Sequence, residues 1–472
     1  MKKPIKAVLL GAGNRGMTYG GYALENPQNL NFVAVAEPIK RRREKFAKKH
    51  NISKNHIFKG WQDLLNKEKL ADIAIICTQD QMHTEPTIQA LYKGYDILLE
   101  KPMAHTLEDC LKIVKKAEET DRTLGVCHVL RYTDFFNKVK EVINSGRLGK
   151  IMNITHRENV AWYHFAHSYV RGEWAIRETS SPIILAKCCH DLDLLYWFTE
   201  SPPAKISSIG ELSHFSEKNA PQGAPKYCVE GCPIEDSCLY YAPRIYIDIE
   251  PIIQIVRKSE KKFYKLLMNL RRNHIKTLTF LSKIIPPLKK LRYWKDWPVN
   301  YLYEEQEEDY SDEAKMEILK SSPYGRCVYQ SNNNVVDHQQ VNIHFLNGIT
   351  ANLTMHGFSE SEGRTLRIDG TKGTLKGEFM SYSEKIKVYD HYSGEEEIVF
   401  KKELDVSGAQ HGGGDYKLLE AFIDSLTTSE SAPLTNAREV LESHVMAFAT
   451  DEARLEEKNI DMKNYRKKFE LL

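Results

Sequence analysis

Apolar residues in the first 130 positions fall into short unbroken runs. The runs are separated by stretches in which apolar positions recur at helical spacing. Lys6 to Leu10, Asn31 to Ala36, Ala71 to Cys77, Asp96 to Leu99 and Leu124 to His128 read as buried strands. Pro38 to His50, Trp61 to Lys67, His83 to Lys93 and Thr106 to Thr120 read as helices. Gly94 is placed to end one helix, and Thr106 with Asp109 has the form of a capping box at the start of another. Strands alternating with helices predict a parallel sheet with helices on its faces. Lys150 to Val160 then reads as a long strand, and Pro182 to Phe198 as a helix. Beyond Arg326 the period changes to two: Val336 to Phe345, Ile349 to Met355, Arg364 to Asp369, Thr374 to Phe379 and Lys385 to Asp390 alternate, and Asn347-Gly348 makes a hairpin turn. This half predicts a large, mainly antiparallel sheet. Tyr416 to Thr427 and Asn436 to Leu455 read as helices, followed by a charged tail.

A chain of 472 residues is too long for one ordinary core. The pattern divides it into an N-terminal α/β domain of Rossmann form at 1–130 and an α+β domain at 131–472, with an insertion at about 205–325. Apolar content of 42% and charged content of 28% are those of a globular protein. A net charge of +2 speaks against nucleic acid as a partner. No apolar run approaches a membrane span, and the first strand is too short for a signal peptide's apolar core. A cytoplasmic location follows as the expectation. Arg257 to Lys295 is basic with apolar residues at helical spacing; the acidic stretch Tyr301 to Glu317 could neutralise it, so membrane contact is not expected.

Gly11-Ala12-Gly13-Asn14-Arg15-Gly16 follows the first strand directly. Gly-x-Gly-x-x-Gly at a strand-to-helix turn permits a tight turn, approach of a pyrophosphate to the backbone, and close helix packing. Glu37 ends the second strand, about 20 residues on, where a carboxylate accepts from a ribose. It favours NAD over NADP, although Arg41 and Arg42 leave NADP open. Side chains at the carboxyl ends of the strands line the ligand crevice in such sheets. The expected cofactor set is therefore Gly11, Gly13, Asn14, Arg15, Gly16, Glu37, Thr78, Gln79, His83, Glu100 and Lys101. Ala166 to Trp174, polar and aromatic without periodicity, suits a substrate-facing loop. Asn332 to Gln339 could face substrate or form a hydrogen-bonded turn. Lys187, His190 and Asp191 fall at i, i+3 and i+4 and would share a helix face.

The glycine motif, the acid after the second strand, and Glu100-Lys101-Pro102 about 90 residues later resemble the family of glucose-fructose oxidoreductase, inositol dehydrogenase and rhizopine-catabolism proteins. The resemblance covers residues 1–200 well and 325–450 more loosely. It implies that Lys101 binds substrate and supports catalysis and that Pro102 is cis. It implies that His190, in His190-Asp191-Leu192-Asp193, is the general acid/base. Many members carry an aspartate four residues before this histidine; here the position is Ala186, with Lys187 beside it. The resemblance also places a histidine or aromatic residue near the sugar at His411, and pairs subunits through the exposed sheet face as a homodimer or homotetramer.

The expected activity is hydride transfer between NAD and a secondary hydroxyl or keto carbon of a sugar, polyol or glycoside. His190 and Lys101 are the catalytic pair, and Arg131, Arg171, Trp174, Lys187, Asp191 and His411 hold the substrate. Two other readings stay open. One is a glycosidase working by transient oxidation, elimination and re-reduction; the other is a regulator that binds NAD and sugar without turnover. Separately, Cys228, Cys232, Cys238 and Cys327 could make a tetrahedral zinc site, with free buried thiols as the alternative.

Overall fold

The computed structural model describes residues 3–258, 262–303, 310–403, 410–428 and 432–470, with backbone only at Gln410, His411 and Thr428. The apolar runs of the N-terminal half form six parallel strands. They are β1 (Ile5–Leu10), β2 (Leu30–Ala36), β3 (Ile57–Phe58), β4 (Ile73–Ile76), β5 (Asp96–Leu99) and β6 (Leu124–Val126). Their order is β3-β2-β1-β4-β5-β6. All four residues of β4 are buried, as expected of a strand covered on both faces. The order reverses beside β1, so the crevice opens at the carboxyl ends of β1 and β4.

Among the described residues the second sheet has nine strands. They are β7 (Ile151–Ala161), β8 (Pro203–Glu211), β9 (His338–Phe345), β10 (Thr350–Ser359), β11 (Gly363–Gly370), β12 (Gly373–Met380), β13 (Ser383–Asp390), β14 (Glu396–Glu403) and β15 (Ile460–Asp461). Their order is β14-β13-β12-β11-β7-β10-β9-β8-β15. Only β7 and β10 pair in parallel; the other neighbours are antiparallel. In β9 burial alternates strictly, one face of the strand on the core and the other exposed. The sequence pattern does not mark β8 or β14. Strand β8 begins at a proline and mixes small polar residues. Strand β14 lies at the sheet edge, where charged side chains are tolerated because nothing packs over them.

Two departures matter for the site. The helix expected over Pro182 to Phe198 is two pieces, Ile183–Ala186 and Cys189–Thr199. Lys187 and Cys188 leave helical geometry between them, with φ/ψ of −107/−51° and −91/5°. The chain also returns to its first domain. Helix Gly414–Thr428 packs Leu418, Leu419, Phe422 and Ile423 into the cluster formed by Ala7, Leu9, Tyr22, Phe32 and Val35. Between β8 and β9 lies a mainly helical segment that carries the cysteines and the basic stretch. Among the described residues no helix is long and apolar enough to cross a membrane.

Candidate active site

A cavity of about 550 Å³ runs along the carboxyl ends of the parallel strands and is closed on its far side by the second domain. At one end the glycine loop turns out of β1. Gly11 has φ +92°, and a Cβ there would sit 2.4 Å from the Cys77 carbonyl oxygen. A Cβ on Gly16 would sit 2.2 Å from the Gly11 carbonyl oxygen, so the third glycine permits helix packing and does not itself face the cavity. The helix Asn14–Glu25 begins at this point and directs its N-terminal N–H groups to the cavity. Glu37 is buried, with Oε2 accepting from Ala12 N (2.8 Å) and Oε1 from Ile39 N (2.9 Å). These bonds fix the acid against the loop while it lines the cavity beside Arg42 and Lys59. A shaped glycine cradle, a helix N-terminus and a fixed carboxylate fit a dinucleotide.

In the middle of the cavity Arg15 donates to Glu100 (2.6 Å) and to Asp415 (2.5 Å), and Tyr19 donates to Glu100 (2.5 Å). Burial works against the charge on Glu100, but Arg15 and Tyr19 hold its pKa below the usual value. The Lys101–Pro102 peptide is cis. Lys101 Nζ reaches across to the carbonyl of Ala186 (2.7 Å), at the end of the first helical piece. His190 lines the cavity near the start of the second piece. The loop after β7 closes over the site: Gln79 donates to Glu173 (2.6 Å) and Trp174 Nε1 to Asp80 (3.3 Å).

Gly11, Gly13, Asn14, Arg15, Glu37, Thr78, Gln79, Glu100, Lys101, Trp174, Lys187 and His190 therefore converge on one cavity. The side chain of His411 lies outside the described residues. Besides Gly16, four expected site residues are placed elsewhere. His83 is buried, with Nδ1 2.7 Å from the Pro102 carbonyl oxygen and Nε2 3.0 Å from that of Thr78, so it braces the loops from beneath. Arg131 is fully buried and donates twice to Asp193, both at 2.7 Å. Arg171 is engaged by the carbonyls of Arg326 (2.7 Å) and Tyr240 (2.8 Å) and by the Cys228 thiol (3.5 Å), and so anchors the inserted segment. Asp191 accepts from His156 (2.7 Å) and Arg364 (2.8 Å). Burial opposes its charge, yet Arg364 and His156 hold its pKa below the usual carboxylate range. The helix break separates Lys187 from His190 and Asp191, and Asp191 points inward to His156 and Arg364, so the three do not share one face toward the cavity.

The four cysteines do come together around a separate cavity of about 10 Å³, walled also by Tyr240, Val328 and Pro225. All four are free thiols, and among the described residues no group of three or more His, Cys, Asp or Glu side chains is arranged to hold a metal ion. The zinc that these cysteines could hold finds no ligand cage among the described residues.

Some cavity residues carry no clear signal in the sequence. Tyr301 arrives from the inserted segment, and Arg41 of the first domain donates to the Tyr303 carbonyl of the same segment (2.6 Å). His164 stands in the single helical turn Trp162–Phe165 after β7, with Nδ1 3.0 Å from Glu362 Oε1. Glu362 also accepts from Lys187 (2.7 Å), and Lys187 lies 3.3 Å from Glu158. Burial works against charge on Lys187, but Glu362 and Glu158 raise its pKa above that of an ordinary lysine. The one signal that could have found His164 was its place just past a long strand and before the aromatic loop.

The fold and the cavity define a two-domain dinucleotide-binding protein whose second domain forms the far wall of the site. Three family models bear this out: "Oxidoreductase family, NAD-binding Rossmann fold" over residues 5–128, "GFO/IDH/MocA C-terminal domain" over 136–229, and "Oxidoreductase family, C-terminal alpha/beta domain" over 300–462. The chain belongs to this GFO/IDH/MocA oxidoreductase family. It is 30% identical over 154 residues to 1,5-anhydro-D-fructose reductase of Ensifer adhaerens, covering 32% of this chain and 45% of that protein. It is 28% identical over 153 residues to 2,7-anhydro-N-acetylneuraminate hydratase of Escherichia coli (strain K12), covering 32% of this chain and 40% of that one. The matched stretches thus span less than half of these relatives. An oxidoreductase from Agrobacterium radiobacter, solved with NAD+, L-tartaric acid and magnesium, superimposes with a TM-score of 0.64 at 14% identity, covering 98% of this chain and 99% of that one. That likeness concerns the fold.

Proposed function

We propose that the protein transfers hydride between NAD and a secondary hydroxyl or keto carbon of a sugar, polyol or glycoside. The observation that carries this reading is the placement of Lys101 and His190 on facing walls of the cavity that also holds the glycine loop and Glu37. The nicotinamide, when bound, supplies hydride acceptance and return. The chain's own residues do the rest. Lys101, an ammonium at the end of β5, holds the reacting oxygen and stabilises alkoxide character as it develops. His190 exchanges the hydroxyl proton. Trp174 and Lys187 border the space left for the ring. Glu37 favours NAD because a carboxylate repels a 2′-phosphate, while Arg42 and Lys59 at the same end keep NADP in contention. Nine free cysteines suit a reducing, cytoplasmic setting.

The test is a panel of sugars, polyols and aryl glycosides offered with NAD and with NADP, recording absorbance at 340 nm and glycoside release. Net NADH formation is the expected result. Release without NADH would favour the redox-neutral glycosidase, and sugar binding without either would leave a regulator. The alternating exposed face of β9 and its neighbours supports subunit pairing through the second sheet. Light scattering should then give a mass of at least twice the 54.5 kDa chain, and a monomer at micromolar concentration would rule the pairing out.

A further inference from the structure

We infer that the inserted segment docks on an anionic lipid bilayer through the outer faces of helices Lys262–Asn273 and Ile275–Ile284. Such docking lies beyond the oxidoreductase reading above and does not depend on it.

Each helix is anchored by its inner face. Met268 and Arg271 of the first and Leu278 and Ser282 of the second are buried. Arg271 donates to the carbonyls of Ile247 (2.8 Å) and Leu291 (2.6 Å), and Arg292 Nε donates to Thr279 Oγ1 (2.8 Å). Both helices are thereby tied to the end of the short helix Pro286–Arg292. The anchors determine what is left outside. On the first helix Lys262, Phe263, Leu266, Asn269 and Arg272 are exposed, a stripe at spacings of three and four. On the second, Lys276, Phe280, Lys283 and Ile284 make the corresponding stripe. Phe263, Leu266, Phe280 and Ile284 are 63 to 66% exposed. A single exposed apolar side chain is ordinary, but the outer face of a surface helix is normally polar. Here two successive helices turn large apolar side chains to solvent.

The charge beside them says what covers this surface. Between Lys262 and Lys295 the chain has ten lysines and arginines and no acidic residue. The whole protein carries +2, so the rest of it is net acidic and the positive charge is concentrated here. Arg272 pairs with Glu250 (3.0 Å) and Arg292 with Asp312 (2.7 Å). The second of these is the one ion pair that the acidic stretch Tyr301 to Glu317 makes with the segment among the described residues. The expectation of no membrane contact rests on a fuller cancellation than that. Among the described residues Lys262, Lys265, Lys276, Lys283, Lys289 and Lys290 have no ion pair. Phenylalanine, leucine and isoleucine beside unpaired ammonium groups fit the boundary of an anionic bilayer. There the apolar side chains enter the acyl region while the lysines reach the phosphates. Nucleic acid would use the cations but leave the four apolar side chains in water. Two copies meeting through this surface would bring like charges together. Among the described residues no helix can cross a bilayer, so the contact is peripheral.

The experiment sediments the full chain with vesicles of phosphatidylcholine alone and of phosphatidylcholine mixed with phosphatidylglycerol, at low and at high salt. Binding to the mixed vesicles should be tighter by about tenfold or more and should weaken as salt is raised. Phe263→Ser combined with Phe280→Ser should reduce it by about tenfold or more, and so should Lys276→Glu combined with Lys283→Glu. All four positions are exposed, so both double variants should keep the wild-type melting temperature. Tyr92→Ser, at an equally exposed aromatic residue elsewhere, should bind as the wild type does. No binding to the mixed vesicles, equal binding to the two kinds, or full binding by either folded double variant would overturn the proposal. So would a fall in mass on light scattering of the Phe263→Ser, Phe280→Ser protein without lipid, which would assign the surface to a second copy of the chain.

Discussion

Replacing Lys101 by methionine or alanine should lower kcat by about a thousandfold or more while NADH affinity, read by fluorescence titration, stays near that of the wild type. The separation follows from where the contacts lie. In the proposed reading the dinucleotide is held by the glycine loop, the N-terminus of Asn14–Glu25 and Glu37, none of which depends on Lys101. Lys101 lines the same cavity farther along, where the proposed reaction would develop charge on the reacting oxygen. Removing one charge-stabilising donor from a water-poor site costs about 10²–10³ in kcat, and more when the donor carries a full charge. Methionine keeps the length of the stem, so packing against the second domain is disturbed less than by alanine. Full activity in either variant would remove Lys101 from the mechanism.

The second large effect concerns stability. Arg131→Met should lower unfolding free energy by about 3–5 kcal/mol, because it leaves Asp193 as an unpaired charge in the interior. Both side chains are almost wholly buried and are joined by two hydrogen bonds of 2.7 Å, with Glu439 at 3.3 Å from the same guanidinium. Urea unfolding measures the loss. Adding Asp193→Leu should restore part of it, since removing both charges is less costly than stranding one. A substrate-binding arginine would behave differently: KM would rise with the unfolding midpoint unchanged.

Arg131 also shows what the sequence conveys and what it withholds. An arginine after a strand of a parallel sheet is compatible with a crevice or an interior ion pair. The choice is made by Asp193, which lies 62 positions away. Lys187, His190 and Asp191 teach the same point locally. Their spacing is helical, but two non-helical residues rotate the first away from the last, and Arg364, far along the chain, draws Asp191 inward. The glycine loop, Glu37 and the strand-end residues were legible because their chemistry is set by neighbours in sequence. The strands β9 to β13 were legible because alternation records a half-buried sheet. His164 was not legible, since its carboxylate partner, Glu362, arrives about 200 positions later from the turn joining the two strands that flank β7.

The return of Gly414–Thr428 to the first domain bears on how the protein is made. The parallel sheet lacks Leu418, Leu419, Phe422 and Ile423 until those residues have left the ribosome, and Arg15 lacks Asp415. Although its strands are translated first, the nucleotide domain is thus completed late in synthesis. Until then the unfinished face would leave an apolar strip beside β1 and β2 uncovered, the kind of surface that makes a partly folded chain prone to aggregate.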